Sequence, residues 1–327
     1  MRAILDTNLW SSFGDDGSLP RLDEILIRHD AVLGIPPSTL LEVVDIPHED
    51  VRKRIILGLA TGRRRTRLLT EADSFAAEVI GLIRRTRPEW MLQIPNPALA
   101  ARHRTFWQKK VWAEALVDSS RMHEYQAGQK PIHDHIVERQ KFHRRELLRT
   151  KFDLGPLTDL IGSAEGAAST GLPGWNGNSA AAWRLNLAQL TWYHLGVVGP
   201  RARLTGEDRT MTDWVEPYVD VRRLRSDPPS FVRMWLEEAQ VEEVPRNWLN
   251  WAVDVVQWTQ KVGSGNPADA QHAAYLLDCD VFLTADVRLV HALERVRRDA
   301  PFTFASTSLV SGDRAIPTAD RIETALG

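Results

Sequence analysis

An α/β fold with a central parallel sheet is what this sequence predicts, on three observations. Short apolar runs alternate with amphipathic helical stretches near both ends of the chain, the pattern of strands covered by helices. The first and best of these runs, Ala3-Ile4-Leu5, ends abruptly in Asp6-Thr7-Asn8. Between the two α/β stretches, residues 88–258 show helical periodicity and few strand-like runs. One α/β domain, residues 1–88 and 259–327, is therefore expected to be interrupted by a mainly α-helical insertion, residues 89–258.

The elements follow in order. Residues 2–5 predict a short buried strand. Ser18 is placed to cap a helix through about Arg28, with Leu22, Ile25 and Leu26 inward. Ala31 to Ile35 is a second strand, stopped by Pro36-Pro37. A helix follows from about Thr39, broken or bent near Pro47, and resumes to about Leu59. Arg67 to Thr70 reads as a third strand. Glu71 to Arg85 carries the helical stripe Phe75, Val79, Leu82 and Ile83. Within the insertion, Gly171 to Ser179 reads as a loop. After the loop Gly263-Ser264-Gly265, Asn266-Pro267 begins a helix to about Leu277, with Asn as N-cap and Pro in the first position. Val281 to Thr284 is a strand, Asp286 opens a helix through about Val296, and Phe302-Thr303-Phe304 is a last strand.

Composition narrows the function classes. The chain has 327 residues and one cysteine, Cys279, so it makes no internal disulfide and builds no zinc site on thiolates. No apolar run approaches the roughly 18 residues of a membrane span, and Asp6 interrupts any signal-peptide core. A cytoplasmic protein with no membrane partner is expected. The net charge of −2 hides an asymmetry: residues 52–151 hold 22 Lys/Arg and 10 Asp/Glu, a local +12, leaving −14 for the remainder. Arg63-Arg64-Arg65, Lys109-Lys110 and Arg144-Arg145 stand out as candidate contacts to a polyanion. Solvated helix faces are the plainer account of each cluster alone. Eleven of the 12 tryptophans lie between Trp90 and Trp258. The i, i+4, i+7 spacing of Trp251, Val255 and Trp258 favours core packing over stacking on bases.

Four acids stand out by position. Asp6 and Asp286 follow strands; Glu42 and Asp269 lie near the starts of helices. In an open parallel sheet all four positions face the carboxyl edge, where ligands gather at a switch in topology. Each has a plainer role. Thr39-x-x-Glu42 fits a capping box, Asp269 stands three residues after Asn266 in the same way, Asp286 fits an N-cap, and Asp6 fits a turn. None of these explains why a strand-end Asp-x-Asn pairs with a second strand-end Asp. Converging carboxylates need a cation, and oxygen ligands favour Mg²⁺ or Mn²⁺.

Four motifs in order resemble the PIN-domain ribonuclease family: Leu5-Asp6-Thr7-Asn8, Pro37-Ser38-Thr39-Leu40-Leu41-Glu42, Asn266-Pro267-Ala268-Asp269-Ala270 and Phe282-Leu283-Thr284-Ala285-Asp286. The resemblance covers under half of the chain. It implies a three-layer α/β/α domain, metal ligands Asp6, Glu42, Asp269 and Asp286, accompanying polar residues Asn8 and Thr284, and Mg²⁺- or Mn²⁺-dependent hydrolysis of RNA, single-stranded or structured as in tRNA. Compact PIN toxins lack an insertion of this size, which argues against an antitoxin partner. The insertion has three candidate roles: substrate choice, a homo-oligomer interface, or a cover for the site.

Two rivals remain. A phosphohydrolase with Asp6 as nucleophile usually wants a carboxylate two residues on, where Asn8 stands. A non-catalytic RNA-binding or scaffold protein would use the basic region and the Trp-rich insertion. Elsewhere, His133-x-His135 and His143 read as solvated or structural, because His-x-His side chains diverge on a helix. His272, three residues after Asp269, could reach the site but reads first as a packed histidine. Gly171-Leu172-Pro173-Gly174 lacks the lysine of a phosphate-binding loop.

Overall fold

The computed structural model describes residues 1–128, 130–162, 171–200, 210–263 and 265–327; Ser264 of the expected loop lies outside them. The chain enters as β1 (Arg2–Leu5) and crosses through helices α1 (Thr7–Asp16) and α2 (Leu22–Arg28) to β2 (Val32–Ile35). Helices α3 (Pro37–Val44) and α4 (Glu49–Thr61) lead to β3 (Arg65–Arg67), followed by α5 (Glu71–Thr86). A helical stretch follows: α6 (Pro97–Thr105), α7 (Val111–Val117), α8 (Ser119–Gly128) and α9 (Lys130–Leu147). A small antiparallel pair, β4 (Ile161–Gly162) and β5 (Ala180–Ala181), precedes α10 (Ala182–Trp192), α11 (Thr210–Val215), α12 (Val221–Ser226), α13 (Pro228–Arg233) and α14 (Pro245–Gln257). The α/β pattern returns with α15 (Asn266–Ala273), β6 (Val281–Thr284), α16 (Val287–Asp299), β7 (Ser306–Leu309) and α17 (Thr318–Leu326).

Five strands form one sheet in the order β3-β2-β1-β6-β7, every neighbouring pair parallel. The chain leaves β1 toward β2 on one side and returns beside it as β6 on the other. The switch in direction therefore falls between β1 and β6, the place where such sheets open a crevice at their carboxyl ends.

Alternation along the strands feeds two cores. Ala3, Leu5, Val281 and Leu283 point to one face, with Trp10, Phe13 and Ile25. Ile4 and Phe282 point to the other, with Val79, Trp248 and Leu293. Strands buried on both faces read as continuous apolar runs, which is why β1, β2 and β6 fall where the sequence predicts them. Full burial of one such side chain contributes about 1.5–3 kcal/mol. The residues 89–258 do not keep a core of their own. Trp183, Trp235 and Trp251 join the Val79 core, whereas Val111 and Trp112 join the Trp10 core. None of the 12 tryptophans is exposed, as the core-packing spacing implies.

Several expectations need correction. The third strand is Arg65–Arg67, ahead of the expected residues 67–70. The last is Ser306–Leu309, beyond Phe302–Phe304. Both are edge strands that lack full burial, so the nearby apolar residues pack without being strands. Phe302 meets the Trp248 ring at 5.7 Å, edge-on. Helix α3 starts at Pro37 with Pro36 as N-cap, so Thr39 is already inside it and no capping box forms. Ser18 does not cap a long helix; it precedes a short 3-10 turn at Leu19–Arg21, and α2 begins at Leu22. Gly265, not Asn266, is the N-cap of α15, and Asn266 Oδ1 accepts instead from the Gly263 N–H at 2.9 Å. No helix of the described residues is long and apolar enough to cross a membrane.

Candidate functional site

Asp6 ends β1 as the N-cap residue of α1, but its carboxylate caps nothing. Its Oδ2 accepts from Thr284 Oγ1 at 2.5 Å and from Asn8 Nδ2 at 2.5 Å. Thr284 closes β6, so these bonds stitch the carboxyl ends of two neighbouring strands. Thr284 Oγ1 also accepts from Asn8 Nδ2 and from the Asp286 N–H, and Asn8 Oδ1 accepts from the Ala285 N–H at 3.3 Å. The Asp-x-Asn and Thr-x-Asp motifs thus form one hydrogen-bonded unit across the switch point. Asp6 is only 6% exposed.

Asp286 performs the plainer role as well. Its Oδ1 accepts from the N–H groups of Arg288 and Leu289 and caps α16. Oδ2 faces Arg288 at 3.7 Å, and about a third of the side chain is exposed. Glu42 comes from α3 on the Trp10 side of the sheet. Asp269 comes from the first turn of α15 on the Val79 side. The capping role expected for Asp269 is not seen; its Oδ2 accepts from Gln257 Nε2 at 2.8 Å.

His272 is the residue the sequence undervalued. It is 3% exposed and lies among the acids. Its Nε2 is 2.9 Å from Glu42 Oε1 and its Nδ1 is 4.0 Å from Asp6 Oδ1. The Glu42 contact is close but not aligned as a hydrogen bond, so both atoms are otherwise unpartnered and buried. Burial alone would lower the imidazole; the carboxylate of Glu42 first, then Asp6 and Asp269, outweigh it and lift His272 to about 9. The same crowding acts on the acids. Burial pushes the Asp6 carboxyl up, against the His272 charge and the Thr284 bond. Burial, then the charge of Asp6, with Glu42 and Asp286 adding to it, hold Asp269 well above the usual carboxylate range. The spacing signal was present: i, i+3 puts His272 on the Asp269 face.

The four acids are therefore coupled electrostatically, from four elements on both sides of the sheet: Asp6, Glu42 and Asp269 surround the His272 imidazole, and Asp286 acts on Asp269. Among the described residues, no group of three or more His, Cys, Asp or Glu side chains is disposed to hold a metal ion as it stands. The donor chemistry nevertheless fits a hard cation. All four acids offer oxygen, the His272 imidazole faces three of them, Glu42, Asp6 and Asp269, and the buried Glu42 Oε1 has no aligned partner.

The basic candidates divide. Arg65 has a nearly buried side chain that pairs with Asp23 and lies over the Trp10 ring. Arg64 pairs with Asp30 at 2.8 Å. Arg144 donates to the Trp258 and Thr259 carbonyls and covers the Phe152 ring. Arg65 and Arg144 are engaged in packing, and Arg64 in a surface pair with an exposed carboxylate. Arg63, Lys109, Lys110 and Arg145 are exposed. Arg67, the last residue of β3, donates to the Gln108 carbonyl at 2.8 Å and so ties Lys109 and Lys110 to the carboxyl edge. Arg63 precedes β3, at the opposite edge. His143 stacks on Trp258 at 4.1 Å, a structural role. Burial pushes the Cys279 thiol up to about 12, so it offers no thiolate nucleophile.

No protein-family model, curated protein or solved structure matches this chain.

Proposed function

We propose that this chain is a PIN-like, metal-dependent endoribonuclease. The observation that carries the proposal is the meeting of Asp6, Glu42, Asp269 and Asp286 at the switch point of a parallel sheet, with His272 among them. In this reading Asp6, Glu42, Asp269 and Asp286 hold Mg²⁺ or Mn²⁺. Bound there, such an ion supplies Lewis-acid stabilisation of phosphoryl oxygens and a water of lowered pKa. Thr284 and Asn8 keep the Asp6 carboxylate at one orientation, which preorganises the centre. The helical insertion shares its packing with the α/β elements and shapes what reaches the edge. A reducing, cytoplasmic setting suits a chain with one half-buried thiol.

The direct test is cleavage of end-labelled single-stranded RNA and tRNA in Mn²⁺, in Mg²⁺ and in EDTA. Metal-dependent cleavage supports the reading. Binding without cleavage under every condition would turn it toward a non-catalytic RNA-binding protein.

Two further outcomes are expected. Asn caps helices as well as Asp, so Asp286→Asn should leave the urea midpoint unchanged while cleavage falls. A matched loss of both would make Asp286 a cap alone. Lys109→Ala with Lys110→Ala should weaken RNA binding and reduce the salt slope by about 1 for each lost phosphate contact. Arg63→Ala, at the far edge, should change neither. Fluorescence anisotropy across a salt series reads both.

A further inference from the structure

The end of the helical segment reaches into the acid centre through Gln257. Helix α14 lies along α15 and the turn that follows it, and three polar side chains hold it there. Arg246 donates to the Ala274 carbonyl and pairs with Asp278; Asn250 Nδ2 donates to the Ala270 carbonyl at 2.8 Å; Gln257 Nε2 donates to Asp269 Oδ2 at 2.8 Å. The first two ties grip backbone or a residue outside the site. The third grips one of the four acids. Gln257 is 3% exposed, and its Oε1 is a buried acceptor with no partner. A buried amide that satisfies its donor and leaves its acceptor open carries a cost of about 1–3 kcal/mol unless something else uses that oxygen. The acceptor belongs to the same amide that touches Asp269, so it borders the centre.

We propose that Gln257 is a positioning residue of the acid centre: it fixes the orientation of Asp269 and presents Oε1 as a neutral acceptor to the hydrated cation held there. The inference rests on the cation-site reading of the four acids. It gives residues of the segment 89–258 a defined role: α14 orients a ligand rather than only covering a core. The anchoring partners of metal ligands commonly account for 10–100-fold in metal affinity.

The test is Mn²⁺ titration of the full chain by calorimetry, with no turnover required, on the wild type, Gln257→Met, Asn250→Leu and Asp6→Asn. Gln257→Met keeps the length and removes both polar atoms. It is expected to weaken Mn²⁺ binding about 10–100-fold, while Asn250→Leu, which cuts a neighbouring tie between the same helices, leaves the affinity of the folded protein within about twofold. Equal affinities for wild type and Gln257→Met, with Asp6→Asn abolishing binding, would overturn the role of Gln257 and leave the cation site standing. Equal losses in Gln257→Met and Asn250→Leu would mean helix docking alone matters, and would overturn it too. No Mn²⁺ binding by the wild type removes both readings. Should Gln257→Met not fold, Gln257→Asn, polar but too short to span to Asp269, carries the same expectation.

Discussion

His272→Ala is expected to destabilise the metal-free protein by about 3–5 kcal/mol, the range for removing one partner of a buried ion pair. Among the described residues the imidazole is the one cationic side chain against Glu42 and Asp6, so its loss leaves the half-buried Glu42 and the buried Asp6 carboxyls facing one another. Urea unfolding in EDTA measures the loss, and saturating Mn²⁺ should recover much of it. A loss under 1 kcal/mol, the same with and without Mn²⁺, would remove His272 from the electrostatics of the centre. The sign of the pH dependence follows from its pKa, raised to about 9 from the ordinary value near 6.5. A basic group whose folded pKa is raised adds stability that is fully present below about 6.5 and disappears as pH passes about 9. The metal-free protein should therefore unfold more readily at pH 9.5 than at pH 6.5, and His272→Ala should flatten that difference.

Asp6→Asn is expected to cut metal-dependent RNA cleavage by on the order of 10³-fold, the scale for losing a preorganised electrostatic group, while the fold survives. An asparagine oxygen can still accept from Thr284 and Asn8 in the same place, so the stitch between β1 and β6 persists. Unchanged circular dichroism beside lost cleavage is the expected pair of results. Retained cleavage would shift the chemistry away from the sheet edge.

The sequence exposed the parts of the fold that are buried on both faces. Ala3-Ile4-Leu5 and Val281-Phe282-Leu283 are strands because every side chain has a core to enter. Arg65-Thr66-Arg67 and Ser306-Thr307-Ser308 form edge strands by backbone pairing, with little apolar signal to find. Helix α1 has no start signal separate from the strand-end motif, because Asp6-Thr7-Asn8 both close β1 and begin the helix. All four acids were legible, because strand ends and helix starts define one edge in a parallel sheet. Gln257 was not: nothing in a spacing relates it to Asp269, and only the docking of α14 on α15 joins them. Arg64, Arg65 and Arg144 illustrate the reverse error. A run of basic residues counts charge but not the carboxylates, carbonyls and rings that already engage it.

One cation centre is expected at the joined carboxyl ends of β1 and β6, and anomalous scattering from crystals soaked in Mn²⁺ locates it. The account predicts a Mn²⁺ peak within coordinating distance, roughly 2.0–2.6 Å, of carboxylate oxygens from Asp6 and at least one of Glu42, Asp269 and Asp286, with His272 moved off Glu42. A well-occupied Mn²⁺ bound elsewhere, with this edge empty and the His272–Glu42 contact intact, would contradict it.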